Sequence, residues 1–251
     1  EIGVRLVGSE MCIRDSYCWF GGKPKPKEVL QYIETWKKHL PEFKIMEWNE
    51  SNFSYEKFKF TYEAYKVKKY AYVSDVCRLH ALYNYGGLYF DTDIEVVGPF
   101  DKYLNLSSFV GFEVAGLLGT GVIGAEKNAK WIKIFLDQYN KREFVSKYGV
   151  MNLVPNTKIL TELMPQIPKD DMPSIFPVDV FCAKNWKTHE VMQTEETVSI
   201  HHYRASWEGT NIIPLEQKEI SMCNALHFRN FHIISRLYKY YLKIGYALKL
   251  K

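Results

Sequence analysis

The stretch YVSDVCRLHALYNYGGLYFDTDIEV, residues 72–96, contains the features that decide the fold. Its first part places apolar residues at helical spacing, and Gly86 and Gly87 then supply a helix stop. The strongly apolar segment that follows is typical of a strand, yet it carries Asp91 and Asp93 one residue apart. The stretch therefore predicts a helix, a break and a strand that delivers two carboxylates.

The paired carboxylates Asp91 and Asp93 need a chemical reason. Residues two apart in an extended chain point to the same side, so both acids could face one ligand. Hard carboxylate oxygens suit Mg²⁺ or Mn²⁺, and such a cation suits a diphosphate. Ligands of open α/β sheets bind beyond the carboxyl ends of the strands. The alternative is a solvated turn that carries two acids.

The segments on either side predict alternating strands and helices, which favours an α/β fold with a mostly parallel sheet. Helices are predicted at 29–40, over a long region at about 55–85, and at 129–142. Strands are predicted at YCWFGG (17–22), FKIMEW (43–48), LYFDTDIEVVG (88–98), SSFVGFEV (107–114), GTGVIGAEK (119–127), IFPVDVFCA (175–183) and TVSIHHY (197–203).

Composition narrows the class of protein. The chain has 251 residues, 47% of them hydrophobic, which is enough for one sizeable core. The formal charge of +4 comes without a dense Lys/Arg block, so no nucleic-acid partner is expected. No apolar run is long enough for a spanning helix. The odd number of scattered cysteines argues against a disulfide framework or a zinc site and favours a reducing, cytoplasmic location: Cys12, Cys18, Cys77, Cys182 and Cys223.

Three further groups are candidates for a site. Asp75 and Arg78 lie three apart on one helix face, where they form either a surface salt bridge or a polar pair facing a sugar. Trp19 ends the first strand and could stack on a base or simply pack in the core. The segment HHYRASW, 201–207, offers two adjacent histidines that point opposite ways, so at most one faces a given site.

Taken together, these segments resemble glycosyltransferase family 32. Residues 72–96 resemble the family's DXD sugar-binding region, and they are also similar to the glucosyltransferase domain of the large clostridial toxins. YCWFGG resembles the family's opening strand, and HHYRASW resembles its closing His-x-x-x-Ser-Trp motif. The three motifs occur in the family's order between about residues 17 and 207. The family includes an initiating mannosyltransferase and many bacterial capsular polysaccharide enzymes.

The resemblance implies a GT-A fold with a mixed, mostly parallel central sheet flanked by helices. It implies a nucleotide-sugar donor, a divalent metal (Mn²⁺ or Mg²⁺) and retention of anomeric configuration. By position, the implied catalytic residues are Asp91, Asp93, Arg78 and Trp207. The implied donor-binding residues are Trp19, Asp75, Arg78, Asp91, Ser206 and Trp207. The implied metal ligands are Asp93, Asp91 and His202, with His201 remaining possible.

The chain departs from the family pattern in two places. Thr120 stands where family members often have Asn, which puts a donor or acceptor contact in doubt. Residues 1–16 lack the expected apolar strand, and GSEMCIRDS resembles translated sequencing-adapter sequence rather than family sequence. We therefore expect a non-native segment at 1–16, a single GT-A domain at 17–228 and a basic aromatic helical tail at 229–251.

The tail at 229–251 carries six basic residues and no acid. We expect it to touch an anionic inner-membrane surface, although a solvated closing helix fits equally well. The expected activity is transfer of a hexose, from a UDP-sugar by preference, to a glycan or lipid-linked saccharide in capsular or surface polysaccharide synthesis. A non-catalytic sugar-binding module and a toxin-like transferase acting on protein are the alternatives. Glu113 is a weak candidate for an enzymic nucleophile.

Overall fold

The computed structural model describes residues 14–204, so the predictions for most of the segment 1–16, for Ser206 and Trp207 and for the tail lie outside it. The strands are β1 Arg14–Cys18, β2 Lys44–Trp48, β3 Gly87–Phe90, β4 Ile94–Val96, β5 Ser108–Val114, β6 Leu117–Ala125, β7 Ser174–Phe176 and β8 Ser199–His201. The α-helices are α1 Lys27–His39, α2 Lys59–Lys66, α3 Tyr70–Tyr85, α4 Asp101–Leu104, α5 Lys130–Asn140, α6 Asn156–Leu163 and α7 Val178–Phe181. Short 3₁₀ turns occupy Tyr55–Lys57, Met164–Gln166 and Lys169–Asp171.

Six strands form the main sheet in the order β2-β1-β3-β6-β5-β7, and β4 pairs with β8 in a separate two-stranded sheet. In the main sheet β1 is parallel to β2 and β3, and β5 is parallel to β7. The strand β6 runs antiparallel to both of its neighbours. Parallel pairings are therefore in the majority, and the predicted α/β class with a mixed, mostly parallel sheet is confirmed.

The long helical region predicted at about 55–85 is divided in the structure. A 3₁₀ turn, α2 and α3 occupy it in succession. The break before α3 contains Lys68 in a left-handed conformation with φ of 59°, which no regular helix accommodates. The predicted apolar face of α3 is confirmed, since Val73, Val76, Leu79 and Leu82 are all fully buried.

The strand predicted over 88–98 also differs, because it ends at Phe90 and resumes at Ile94 in the other sheet. Asp91 and Asp93 thus lie in the turn between two sheets, where the Ile94 amide donates to the Asp91 carbonyl at 3.0 Å. The segment predicted as one strand at 175–183 is likewise β7 followed by α7. Pro177 separates them, because proline has no N–H for a ladder and suits a helix start.

Aromatic side chains account for much of the core beneath the DXD turn. Trp36 from α1 packs on Phe90, and its indole nitrogen donates to the Ile94 carbonyl at 2.8 Å. Phe100 also packs on Phe90, edge to face, and stacks on Phe181. Both ends of the Asp91–Asp93 turn are therefore held by buried rings.

Within residues 14–204, no helix combines the length and apolarity needed to cross a bilayer.

Asp15 is the exception to this packing. It sits in β1 between Ile45 of β2 and Leu88 of β3, only 1% exposed. Neither of its carboxylate oxygens has a hydrogen-bond partner in the described part of the chain. Burial raises the pKa of the Asp15 carboxyl well above its usual value. An unpaired acid is unfavourable at such a central strand position. Strand β1 thus runs from Arg14 to Cys18, whereas the sequence predicted a strand over 17–22.

We predict that Asp15→Val stabilises the protein by about 2 kcal/mol near neutral pH, because it removes an unpaired buried carboxylate. The raised native pKa means that the folded state binds the Asp15 proton more tightly than the unfolded chain. The loss of stability caused by the raised pKa is therefore absent at low pH. It appears as pH rises above about 3.9, where Asp15 ionises in the unfolded chain, and it grows until Asp15 also ionises in the folded state. Urea denaturation at pH 4 and pH 8 should show a larger gain at pH 8.

The control variant is Asp170→Val, because Asp170 is exposed in a 3₁₀ turn. It should change the free energy of unfolding by no more than about 0.5 kcal/mol at either pH. Equal stabilities of the Asp15→Val variant and the native protein at pH 8 would contradict the interpretation of Asp15.

Candidate functional site

The DXD turn brings its two carboxylates together at the carboxyl end of β3. The Asp91 amide donates to the Gly121 carbonyl of β6 at 2.8 Å, which fixes where the turn begins. The carbonyl of Asp93 accepts from the His202 amide at 2.9 Å, and its Oδ2 accepts from the Arg204 amide at 2.9 Å. The backbone on both sides of the turn thus sets the direction of each acid.

His201 of β8 completes a three-residue cluster with these acids. Strand β8 pairs with β4 so that His201 lies opposite Ile94, one residue after the DXD turn. One ligand atom from each of Asp91, Asp93 and His201 lies within 4.8 Å of the other two. Two carboxylates and one imidazole form a donor set that suits a divalent cation such as Mn²⁺ or Mg²⁺.

The electrostatics of Asp93 and His201 show how closely they interact. Their nearest side-chain atoms, His201 Nε2 and Asp93 Oδ1, are 3.3 Å apart. Burial alone would lower the pKa of His201, but the Asp93 carboxylate outweighs burial and raises that pKa well above its usual value. Burial alone would raise the pKa of Asp93, but His201 and the Arg204 amide lower it to about 2. Each group thus favours the charged form of the other.

His202 lies on the other side of the chain from the cluster, because neighbouring residues of an extended segment point opposite ways. Its ring stacks on Tyr32 of α1 with centroids 4.7 Å apart. Its Nε2 lies 2.8 Å from Glu95 Oε2, and its Nδ1 lies 3.4 Å from Lys184 Nζ. The structure therefore places His201, the alternative left open by the sequence, with the two aspartates, and it places His202 away from them.

A buried ring of hydrogen bonds lies beside Asp91. The two terminal nitrogens of Arg78 reach the two carboxylate oxygens of Asp91, each at 3.1 Å. Arg78 also donates to Asp75 Oδ1 at 3.0 Å and to the Thr120 carbonyl at 2.7 Å. Asn156 closes the ring, since its amide donates to Asp75 at 2.7 Å and accepts from the Thr120 hydroxyl at 2.9 Å. Asp75 and Arg78 are thus a buried pair and not a surface salt bridge.

The charges in this ring are strongly perturbed. Burial raises the pKa of Asp75 to about 7, because it outweighs the favourable effect of Arg78. Burial would lower the pKa of Arg78, but the surrounding acidic groups, Asp91 first, raise it well above its usual value. The Tyr89 hydroxyl donates to Asp91 at 3.0 Å, and the guanidinium carbon of Arg78 lies 4.7 Å from the Tyr89 ring centroid. A permanently charged guanidinium is therefore locked in place next to the DXD turn.

Sequence reasoning missed Tyr89 and Asn156. Tyr89 alternates with apolar neighbours in a buried strand, so it reads as a core residue. Asn156 follows Pro155 at the first turn of α6, where an asparagine is ordinarily interpreted as a helix cap. Thr120, where the sequence left a donor or acceptor contact in doubt, takes part in the buried ring through its hydroxyl, which donates to Asn156.

The sequence analysis named two further candidate residues, Glu113 as a nucleophile and Trp19 as a residue that stacks on a base. Glu113 is partly buried, and its pKa is raised because burial and the charges of Asp91 and Asp93 outweigh the effect of His201. Trp19 is half-buried, and its indole nitrogen donates to the Lys23 carbonyl at 2.6 Å. Its proposed stacking on a base stays a prediction, as do the roles of Ser206 and Trp207 outside the described residues.

Comparison with known families gives a partial match. Residues 26–110, about a third of the chain, match the family model described as "Glycosyltransferase sugar-binding region containing DXD motif". That region includes Asp75, Arg78 and the DXD turn but not His201 or Asn156. No curated protein shows a significant sequence match to the chain.

Three solved structures are similar in part. "PaToxG Glycosyltransferase" is 20% identical with a TM-score of 0.48, over 62% of this chain and 68% of that chain. A glycosyltransferase involved in glycosylation of the major capsid of PBCV-1 is 12% identical with a TM-score of 0.44, over 76% of this chain and 94% of that chain. The apo-form glycosyltransferase GlyE of Streptococcus pneumoniae TIGR4 is 12% identical with a TM-score of 0.48, over 84% of this chain and 60% of that chain.

We predict that Asn156→Ala destabilises the protein by about 1–3 kcal/mol, because it strips a buried donor from Asp75 and an acceptor from Thr120. Asn140→Ala is the matched control, since Asn140 is exposed and its amide donates only at the surface, to Asp137 at 3.0 Å. That control should cost no more than about 0.5 kcal/mol. Urea denaturation of both variants measures the difference, and equal losses would refute a special role for Asn156.

Proposed function

We propose that the protein is a metal-dependent, retaining glycosyltransferase that moves a hexose from a nucleotide-diphosphate sugar to a saccharide acceptor. The observation that carries the proposal is the convergence of Asp91, Asp93 and His201 within 4.8 Å. The acids lie inside the region matched by the DXD sugar-binding family model. The mixed sheet, with the acids just beyond the end of β3, suits a GT-A fold and agrees with the rule that ligands bind at the carboxyl ends of strands.

The donor set of the cluster fits the implied metal. Asp91, Asp93 and His201 would hold it, and this assignment replaces His202 with His201 for the geometric reason given above. The cation, when bound, would offset negative charge that develops on the departing diphosphate. The Asp93 carboxylate favours the protonated form of His201 by raising its pKa, so a metal held by His201 would have to displace that proton.

The protein's own residues supply orientation and charge. Arg78 is held by Asp75 and Asp91, and its guanidinium gives a fixed positive charge beside the metal-binding acids. Fixed charges of this kind stabilise a developing anion without reorganisation during the reaction. In the proposal, Asp75 and Arg78 contact the donor sugar, and Trp19 stacks on the base. Ser206 and Trp207 close over the diphosphate and exclude water.

The finer parts of the proposal extend the family resemblance. A UDP-sugar is the favoured donor, and a glycan or lipid-linked saccharide in capsular or surface polysaccharide synthesis is the favoured acceptor. The basic tail at 229–251 would bring the enzyme to the cytoplasmic face of an anionic membrane. A binding module without turnover needs no cluster of acids beside a locked arginine, so the site favours an enzyme over that alternative.

We predict that the native protein with Mn²⁺ releases nucleoside diphosphate from at least one member of a panel of UDP- and GDP-hexoses. Asp93→Ala should lower that release at least 100-fold, since it removes a metal-holding carboxylate. Asp170→Ala removes an exposed acid and should retain the native rate. Release of nucleoside diphosphate from no donor, or a near-native rate of Asp93→Ala with added Mn²⁺, would contradict the proposal.

The two adjacent histidines give a second, matched prediction. His201→Ala should weaken Mn²⁺ binding at least tenfold, because it removes the imidazole that lies with the two aspartates. His202→Ala removes the same group from the opposite face and should weaken binding much less. Isothermal titration of Mn²⁺ into each variant measures both affinities. The reverse order of effects would restore His202 as the ligand.

A further inference from the structure

Strand β6 passes the candidate metal site with two glycines on one face. Gly119 and Gly121 lie two apart in β6, so their side-chain positions point the same way, whereas the Thr120 hydroxyl points into the buried ring. A Cβ atom at Gly121 would lie 3.4 Å from Asp91 Oδ2 and 3.5 Å from His201 Cε1. The face of β6 that carries the two glycines is therefore the face that adjoins the metal site.

The same face of β6 also meets Glu113 of β5. A Cβ atom at Gly119 would lie 3.2 Å from the Glu113 Cβ. Two residues of a strand span about 7 Å, so Glu113 meets β6 about 7 Å along the strand from the point where Asp91 and His201 meet it. Burial raises the pKa of the Glu113 carboxyl, and the charges of all three residues of the metal cluster also act on that pKa. The carboxyl group itself therefore lies within electrostatic range of the cluster.

Tyr203 ties the backbone at Glu113 to the imidazole of His201. Its ring stacks on the His201 ring with centroids 4.1 Å apart, and its hydroxyl donates to the Glu113 carbonyl at 3.3 Å. Tyr203 adopts a left-handed backbone conformation with φ of 52°, which is unfavourable for a residue other than glycine. Such a conformation persists where the surrounding contacts determine it, so the spacing of Glu113 and His201 is a fixed feature of the fold.

The carboxylate of Glu113 is half-buried yet unpaired. Within residues 14–204, no side chain or backbone amide donates a hydrogen bond to it. Asp91, by contrast, accepts a hydrogen bond from Arg78. Asp93 accepts one from the Arg204 amide. Because burial of a carboxylate is unfavourable without hydrogen-bond donors, Glu113 has acceptor capacity that a ligand can use.

We propose that Glu113 binds a saccharide, by accepting a hydrogen bond from a hydroxyl group of a hexose that lies beside the metal site. This inference rests on the proposed function and assigns Glu113 a binding role in place of the nucleophilic role considered from the sequence. A carboxylate repels phosphate groups and accepts from hydroxyl groups, which both the donor hexose and the acceptor saccharide carry. Gly119 and Gly121 contribute no side chains to the space between Glu113 and the metal site, which suits the close approach of a ligand to a strand.

The affinity test compares ligands with and without the sugar, using the full chain with Mn²⁺. UDP, GDP, UDP-glucose, UDP-galactose and GDP-mannose are titrated calorimetrically, and methyl glucoside, galactoside and mannoside are followed by saturation-transfer NMR in the presence of UDP. If the hydroxyl belongs to the donor hexose, Glu113→Ala should weaken binding of at least one nucleotide-hexose at least tenfold and binding of its nucleotide less than twofold. If it belongs to the acceptor, Glu113→Ala should instead lower the transfer to at least one methyl hexoside at least fivefold.

Two variants control for folding and for the loss of an acid. Glu113→Gln keeps the size and one acceptor oxygen of the side chain, so it should weaken sugar binding less than threefold. Glu42→Ala removes an exposed glutamate before β2 and should keep the native affinities. A nucleophile predicts a different pattern, because Glu113→Gln would then abolish sugar transfer as fully as Glu113→Ala while both variants bind the sugars with native affinity.

Monodeoxy forms of each ligand that responds identify the contacted hydroxyl. Replacing that hydroxyl by hydrogen should weaken binding to the native protein at least tenfold and binding to Glu113→Ala less than twofold, because the carboxylate is left unpaired in the native site alone.

Three results overturn the inference. One is that the native protein binds none of these sugars, and another is that Glu113→Ala binds all of them with native affinity. The third is equal weakening of nucleotides and nucleotide-hexoses in Glu113→Ala, which would assign Glu113 a structural role. A sugar-specific loss in Glu113→Ala without turnover of any donor by the native protein counts against the proposed transferase activity and supports the binding role of Glu113.

Discussion

The buried guanidinium of Arg78 is the interaction on which the rest of the site depends. An unpaired charge in this position would cost several kcal/mol, so Arg78 is tolerated only because Asp75, Asp91 and the Thr120 carbonyl surround it. These partners come from α3, from the turn after β3 and from β6, and Asn156 adds α6. The packing of four separate elements is therefore tied to the orientation of one side chain.

The charge balance of the site follows from that arrangement. Arg78 compensates Asp91 and part of Asp75, whereas Asp93 is compensated by His201 and Glu113 has its pKa raised. The protein thus holds several acids close together because the positively charged side chains of Arg78 and His201 lie among them. In the proposed function, a divalent cation held by the cluster would take the place of the proton on His201 as the partner of Asp93.

Much of this could be predicted from local sequence. Residues 72–96 contain the apolar spacing of α3, the glycines that end it and the pair of acids. The alternation of predicted strands and helices indicated the α/β class. The splitting of the DXD strand could not be predicted, because Ile94 and Val96 continue the apolar pattern while pairing in another sheet. Asn156 lies 81 residues from Asp75, and alternation alone cannot tell which of two adjacent histidines faces a site.

The bond from the Arg204 amide to Asp93 has an engineering consequence. It fixes the position of the chain relative to the DXD turn just after the two-stranded sheet has ended. The Arg204 side chain also forms a salt bridge with Glu28 of α1 at 2.7 Å. A junction placed just after Arg204 would leave all of these contacts intact. A chimera that keeps residues 14–204 of this chain therefore retains the contacts of Arg204 with Asp93 and Glu28.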